Sequence, residues 1–511
     1  MPGSRPNIIL VTTDQHRGDC FGFEGRAVKT PHLDEFARNG TRFSNCTTAN
    51  PICQPSRASI LTGLFPLTHG VRDNGIDLPE ETGENGWAGK LAESGYSTAF
   101  IGKPHLSTVR TFEPTGRPEC LSSTPDYNMD EWSGPYMGFD HCELMLMGHF
   151  NLKPSPPPHV LHYENWFFGD GRGAEKLAAH EQRLPPESGF EQVWHSALPS
   201  LWHTSTWCGD RAMDFIKGKH DEPFALWVSI PDPHTPFDAP EPWSRMHDPK
   251  DVDLPPVRER DFTGKPWWHE ASRKNEPVME DEVFRKIRAN WSRPEQLDDD
   301  VLREVIANYY GMISLADHTF GRILNALRES GLDDNTYVIF TSDHGDWLGD
   351  HGLLLKGPML YDGLIRVGCL IAGPGIAPNN IIETPVSLVD LLPTFMELSG
   401  VKDDRDRHGK SLLPVIRGEE DRTHSYVEWG LAASRCGVEL ELRAARTPEW
   451  KLTFDMLSEV GEMYDLLNDP FEVNNLWDRP DHRDERQRLM GLINERPDDI
   501  LKEPLPVVGM A

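Results

Sequence analysis

From residue 7 to about residue 400, short β-branched apolar runs alternate with segments whose apolar residues return at helical spacing. Residues 7–12 read as a buried strand, with Ile8 to Val11 apolar at consecutive positions as in a strand covered on both faces. Residues 98–101, 224–229, 337–340 and 367–371 read as further strands. Thr30 and Pro31 open a helix, with Thr30 as N-cap and Pro31 at the first helical position. Between residues 301 and 330 the set Leu302, Val305, Ile306, Tyr309, Ile313, Ala316, Phe320, Ile323, Leu324 and Leu327 holds one helical face, and that helix feeds the strand at 337. The pattern predicts an α/β fold: a large, mostly parallel sheet sandwiched by helices over 1–404. Two long insertions, about 106–200 and 235–300, interrupt it. After about residue 405, strands at 425–429, 439–446 and 450–454 and a helix near 483–495 predict a smaller C-terminal α+β subdomain, 405–511. In such sheets ligands gather at the carboxyl ends of strands, so the residues just after each strand carry most information.

Composition narrows the function classes. The 511 residues hold 51 Lys+Arg against 81 Asp+Glu, a net charge of −30, which excludes a general nucleic-acid binder. No apolar run approaches the roughly 18 residues of a membrane helix. With 22 Phe, 15 Trp and 10 Tyr the chain is not disordered. The first apolar run, residues 8–11, is too short for a secretory signal, so a cytoplasmic protein with reduced thiols is expected. The eight cysteines include no CxxC pair, which leaves a structural zinc cage without support. Ten of the fifteen Trp fall between 132 and 291 and read mainly as packing for the insertions. Gly169–Gly173 has the look of a phosphate loop, but no strand precedes it, and a surface turn is expected. The tail at 503–511 is apolar enough to dock, either on its own chain or on a neighbouring subunit.

Chemistry concentrates at three places. Asp14 and Gln15 follow the first strand, and Asp343 and His344 follow the strand at 337; together they offer two carboxylates, an amide oxygen and an imidazole to one divalent cation. Cys53 begins a helix whose first turn holds Pro55, where free N–H groups favour negative charge and a low-pKa thiolate is one reading. Arg57, four residues on, shares its helix face and can hold an anion or orient the group at 53.

The segment Cys53-Gln54-Pro55-Ser56-Arg57-Ala58-Ser59-Ile60-Leu61-Thr62-Gly63 resembles the signature of the type I sulfatases, in the alkaline phosphatase superfamily. The likeness extends to Gly102-Lys103-Pro104-His105, Asp232-Pro233-His234, Ser342–Gly352 with Lys356-Gly357, and Glu462–Leu466 with Asn468-Asp469-Pro470, and so spans most of the chain outside the insertions. The resemblance implies an alkaline-phosphatase-like fold and a formylglycine-dependent arylsulfatase, in which a maturation enzyme oxidises Cys53. It implies a cation held by Asp14, Gln15, Asp343, His344 and an oxygen of modified Cys53. Arg57, Lys103 and Lys356 then neutralise the sulfate oxygens, His234 with Lys356 protonates the leaving group, and His105 deprotonates the hydrate so that sulfate leaves. His69 is a further partner for the hydrate. A dimer or tetramer is also implied.

Departures from the common pattern redirect part of this reading. Most sulfatases carry Asp-Asp and Asp-Asn where this chain has Asp14-Gln15 and Asp343-His344, a set that resembles the phosphonate monoester hydrolase and phosphodiesterase branch. Arg72-Asp73-Asn74-Gly75 also resembles that branch, with Asn74 touching the transferred group, whereas Lys103 and His105 are sulfatase-like. An imidazole ligand favours manganese over calcium, with calcium still open. The expectation is a small sulfate ester as substrate, with activity on phosphonate monoesters and phosphodiesters. The alternatives are a hydrolase whose main substrates are those phosphorus esters, and a non-catalytic, metal-dependent anion-binding protein.

Overall fold

The computed structural model describes residues 5–145, 154–158 and 160–510. Eight strands build the main sheet: β1 (Asn7–Thr13), β2 (Thr41–Phe43), β3 (Ser97–Gly102), β4 (His141–Leu144), β5 (Phe224–Ile230), β6 (Thr336–Ser342), β7 (Cys369–Ala372) and β8 (Asn380–Ile382). They lie in the order β8-β2-β7-β6-β1-β5-β3-β4. All neighbours pair in parallel except at β7, which runs against β6 and β2. This is the mostly parallel α/β sheet that the sequence pattern predicts.

Both faces of the sheet are covered. Along β1, Ile8 and Leu10 enter one core while Ile9 and Val11 enter the other, which is why residues 8–11 are all apolar. Helix α1 (Pro31–Asn39) begins where expected, yet its Thr30 makes no capping bond. The Thr30 hydroxyl serves Asp34 and the Gly22 N–H instead. Asp317 takes the helix's first N–H groups, from His32 and Leu33, at 3.3 and 2.7 Å. Helix α2 (Cys53–Thr62) is buried along its whole length and stops at Gly63, whose φ of 65° only glycine adopts freely. Helix α3 (Thr204–Lys217) packs beside the long helix α4 (Asp299–Glu329), which Asp298 caps through the Val301 N–H.

A second, antiparallel sheet runs β9 (Ser425–Leu431), β10 (Leu440–Arg446), β11 (Trp450–Asp455) and β12 (Val460–Asp465) in chain order. Helix α5 (Arg483–Ile493) covers one face through Leu489, Leu492 and Ile493. The other face joins Val427, Trp429 and Leu442 to Trp347, Leu353 and Met359 in one core. The second sheet thereby backs the segment around residue 356.

The apolar tail docks on its own chain. Val508 donates to the Gly75 carbonyl at 2.8 Å, Met510 to that of Arg110 at 3.1 Å, and Arg288 donates to the Met510 carbonyl. Gly75, at φ 99°, leaves room for the Gly509 backbone to cross it. All eight cysteines are free and buried. Among the described residues no helix is long and apolar enough to cross a membrane.

Candidate active site

Strand register assembles the site. Thr13 pairs with Ser342 of β6 on one side and with Ile230 of β5 on the other, and Gly102 of β3 pairs with Ser229. Four adjacent strands therefore end at one level, and the residues that follow them converge. The Asp14 N–H donates to the Asp232 carbonyl at 3.2 Å, the Asp343 N–H to that of Thr13 at 3.1 Å, and the Lys103 N–H to that of Ser229 at 3.1 Å. Gln15 and His105 hold φ values of 65° and 48°, a left-handed backbone that side-chain-bearing residues rarely adopt.

Helix α2 brings Cys53 to this edge. The Ser56 hydroxyl bonds the Asp343 carbonyl at 2.6 Å and pins the first turn. The fully buried Cys53 Sγ lies 2.9 Å from Lys356 Nζ, 3.1 Å from His344 Nε2 and 3.6 Å from Asp14 Oδ1. Burial raises the thiol's pKa, but Lys356, Lys103 and His344 together pull it well below the ordinary value.

Two buried carboxylates face each other across the strand ends. Arg57 Nε bonds Asp343 Oδ2 at 3.0 Å, its Nη2 lies 3.4 Å from Asp14 Oδ2, and its Nη1 donates to the Lys103 carbonyl and the Ser229 hydroxyl. Lys103 Nζ bonds the same Asp14 oxygen. Burial and Cys53 raise the Asp14 pKa, yet Lys103, His234 and Arg57 prevail and hold it below the usual carboxylate range. Arg57 is thus spent on the two carboxylates and on the Lys103 turn.

The donor set suits a divalent cation. Ligand atoms of Asp14, Cys53, Asp343 and His344 all lie within 4.8 Å of one another. His344 Nδ1 lies 2.8 Å from the Gly345 carbonyl, which only accepts, so the proton sits there and Nε2 presents a lone pair inward. Gln15 Oε1 is buried and has no hydrogen-bond partner among the described residues, as expected of an amide oxygen held for a cation.

Two further bases, His234 and His105, stand near Cys53. His234 Nδ1 bonds the Thr235 carbonyl at 2.7 Å, leaving Nε2 to face Lys356 Nζ at 3.4 Å. His105 is fully buried, and neither ring nitrogen has a hydrogen-bond partner of good geometry among the described residues. Burial lowers the His105 pKa to about 4, against an opposing pull from Cys53. Asn74 stands one step aside, its Oδ1 accepting the Gln54 N–H at 3.2 Å at the start of α2. His69 differs from expectation: its Nε2 pairs with the Ser59 hydroxyl at 3.0 Å and its Nδ1 accepts the Val71 N–H, so it braces the helix and its turn.

Sequence reasoning passed over several supporting residues. The Tyr309 hydroxyl, on a helix read only as an apolar stripe, donates to the Gln15 carbonyl at 2.7 Å. Asp346 accepts from the Gln15 amide at 2.6 Å. Glu119 accepts the Leu106 and Ser107 N–H groups, both at 3.0 Å, and so secures the turn after His105. A tyrosine in an apolar stripe and an acid inside an insertion, as Glu119 is, carry no local signal of such roles, and Asp346 lies in the segment 342–352, read for Asp343 and His344 alone.

Known proteins resemble this chain over most of its length. The sulfatase family model matches residues 6–401, and a model described as N-sulphoglucosamine sulphohydrolase, C-terminal, matches 349–498. An arylsulfatase of Clostridium perfringens is 29% identical over 486 residues, covering 94% of this chain and 92% of that protein. The multifunctional alkaline phosphatase superfamily protein PehA of Trinickia caryophylli is 30% identical over 433 residues, covering 81% and 77%. The crystal structure of the phosphonate monoester hydrolase of Agrobacterium radiobacter superposes with a TM-score of 0.77 at 25% identity, covering 97% of each chain.

Proposed function

The chain belongs to the sulfatase family, and we propose that it is a formylglycine-dependent, arylsulfatase-type hydrolase that splits small sulfate monoesters into sulfate and an alcohol or phenol. Phosphonate monoesters and phosphodiesters are its secondary substrates. The observation that carries this reading is the surroundings of Cys53: a buried Sγ within 3.6 Å of Lys356, His344 and Asp14, at the end of a helix aimed into the site. Sulfatases of this family use a metal ion and formylglycine. Asp14, Gln15, Asp343 and His344 would hold the cation, and the imidazole favours manganese over calcium. The cation and the aldehyde hydrate at position 53, when present, supply an oxygen nucleophile at neutral pH.

The remaining roles fall to side chains already in place. Arg57 keeps the two carboxylates together and orients the group at 53. Lys103 and Lys356 offset charge on the nonbridging oxygens of the ester as its bond breaks. His234 Nε2, beside the Lys356 ammonium, delivers a proton to the leaving oxygen. His105, with no other hydrogen-bond partner among the described residues, serves as base toward the hydroxyl at 53. The net charge of −30 disfavours polyanionic sulfated polymers and favours small esters. Because Cys53 is fully buried, the maturation enzyme meets its segment before the chain folds.

A second reading exchanges the main and secondary activities. The Gln15 and His344 ligand types favour it, as does the likeness to a phosphonate monoester hydrolase over 97% of the chain. Two measurements test the proposal. Mass spectrometry of the Cys53 peptide should show the aldehyde; an unmodified thiol in cells that convert such motifs overturns the mechanism. The kcat/KM values on matched aryl sulfate and aryl phosphonate esters should favour the sulfate, and a wide margin for the phosphonate makes the second reading the correct one.

A further inference from the structure

We propose that Asp346 is a positioning residue that turns the Gln15 amide so that its oxygen, not its NH2, faces the cation. The inference rests on the metal-site reading above. Asp346 is fully buried, and both its oxygens are occupied by N–H donors. Oδ2 accepts from Gln15 Nε2 at 2.6 Å, while Oδ1 accepts the Leu348 and Leu355 N–H groups at 2.6 and 2.9 Å. The two ends of an amide have almost the same shape and opposite polarity, so the hydrogen-bond partner decides which way it points. A carboxylate only accepts; the NH2 must face Asp346, and Oε1 is left on the other side, buried and without a partner among the described residues. The rest of Gln15 is already fixed, its N–H on Asp343 Oδ1 at 3.0 Å and its carbonyl on the Tyr309 hydroxyl at 2.7 Å. Turning of the amide is the freedom that Asp346 removes. The same carboxylate grips Leu355, next to Lys356, whose Nζ lies 2.9 Å from Cys53 Sγ. One buried acid thus joins a cation ligand to the loop carrying a site lysine.

The substitution Asp346→Asn tests the polarity argument with almost no change in shape. The introduced amide oxygen must keep the Leu348 and Leu355 N–H groups, so the introduced NH2 meets that of Gln15, and Gln15 turns its own NH2 toward the cation. Titrating Mn2+ into the metal-stripped full chain by calorimetry should show affinity roughly 10–100-fold weaker than wild type, in the range for lost outer-shell partners. Adding Gln15→Ala to Asp346→Asn should cost little more, because the amide is already misdirected. The pair Gln15→Glu and Asp346→Asn should recover most of the affinity. In that pair the introduced amide donates to one oxygen of the introduced carboxylate, and the other oxygen faces the cation. If Asp346→Asn also lowers the melting temperature of the stripped protein sharply, that rescue pair carries the test. Wild-type affinity in Asp346→Asn, or no recovery in a folded rescue pair, overturns the proposal. Failure of the wild-type chain itself to bind Mn2+ overturns the metal-site reading beneath it, a result separate from the other two.

Discussion

The Ser56 hydroxyl bonds the Asp343 backbone carbonyl at 2.6 Å and ties the first turn of the Cys53 helix to the strand end that carries Asp343 and His344. Ser56 also lies 3.0 Å from the Thr48 hydroxyl, so this anchor is itself held. Ser56→Ala leaves a buried carbonyl without its donor, a loss of about 1–3 kcal/mol. Denaturant unfolding should show that loss, and Ser56→Thr should recover part of it by restoring the hydroxyl.

His234 faces Lys356 at 3.4 Å with its Nδ1 committed to Thr235, the arrangement of a proton donor to a leaving group. His234→Asn should lower kcat/KM by about 10²–10⁴-fold for esters of weakly acidic alcohols. For 4-nitrophenyl sulfate, whose leaving group needs no proton, the loss should be much smaller. Equal losses across a series of leaving groups would remove His234 from that role.

Metal removal should separate activity from folding. Asp14 and Asp343 keep Arg57 as a shared partner, and Asp14 keeps Lys103, so the carboxylates stay compensated without a cation. A chelator should abolish turnover while the far-ultraviolet circular dichroism stays unchanged. Added Mn2+ should restore activity and raise the melting temperature in a concentration-dependent way.

Glu119 links stability to pH. Burial raises its pKa from 4.5 to about 7, against hydrogen bonds from Tyr136, Ser107 and Leu106, with Asp77 adding to the rise. The folded state thus holds a proton that the unfolded state releases. The resulting stabilisation is fully present below about pH 4.5 and is lost as pH rises through about 7. The shift corresponds to about 3 kcal/mol at most. Glu119→Gln should therefore shrink the difference in unfolding free energy between pH 5 and pH 8, measured by urea titration at both. An unchanged difference would show that Glu119 ionises normally.

Much of the architecture was legible because it is written locally. Continuous apolar runs such as Ile8–Val11 mark strands covered on both faces, and the spacing from Leu302 to Leu327 marks the long helix. The short strands β2, β4, β8 and β12 carry no readable pattern, since three to six residues with partners far away hold too little periodicity. Thr30 shows a similar limit. Its position before Pro31 located the helix start, but Asp317, 285 residues beyond His32, is what satisfies the helix's first N–H groups.

The sequence by itself determined the α/β alternation, the residues just beyond the strand ends and the family to which the Cys53 segment points, because side-chain period and motif spacing are properties of neighbours along the chain. Only the tertiary structure decided that Arg57 spans two carboxylates, that His69 braces a helix, that the tail lies on its own chain, and that Asp346 and Tyr309 hold Gln15. Those relationships follow from strand register, which sets Thr13 opposite Ser342 and so brings Gln15 and Asp343, 328 residues apart, within hydrogen-bond reach. No local pattern records that register; it comes from burying both faces of the sheet at once.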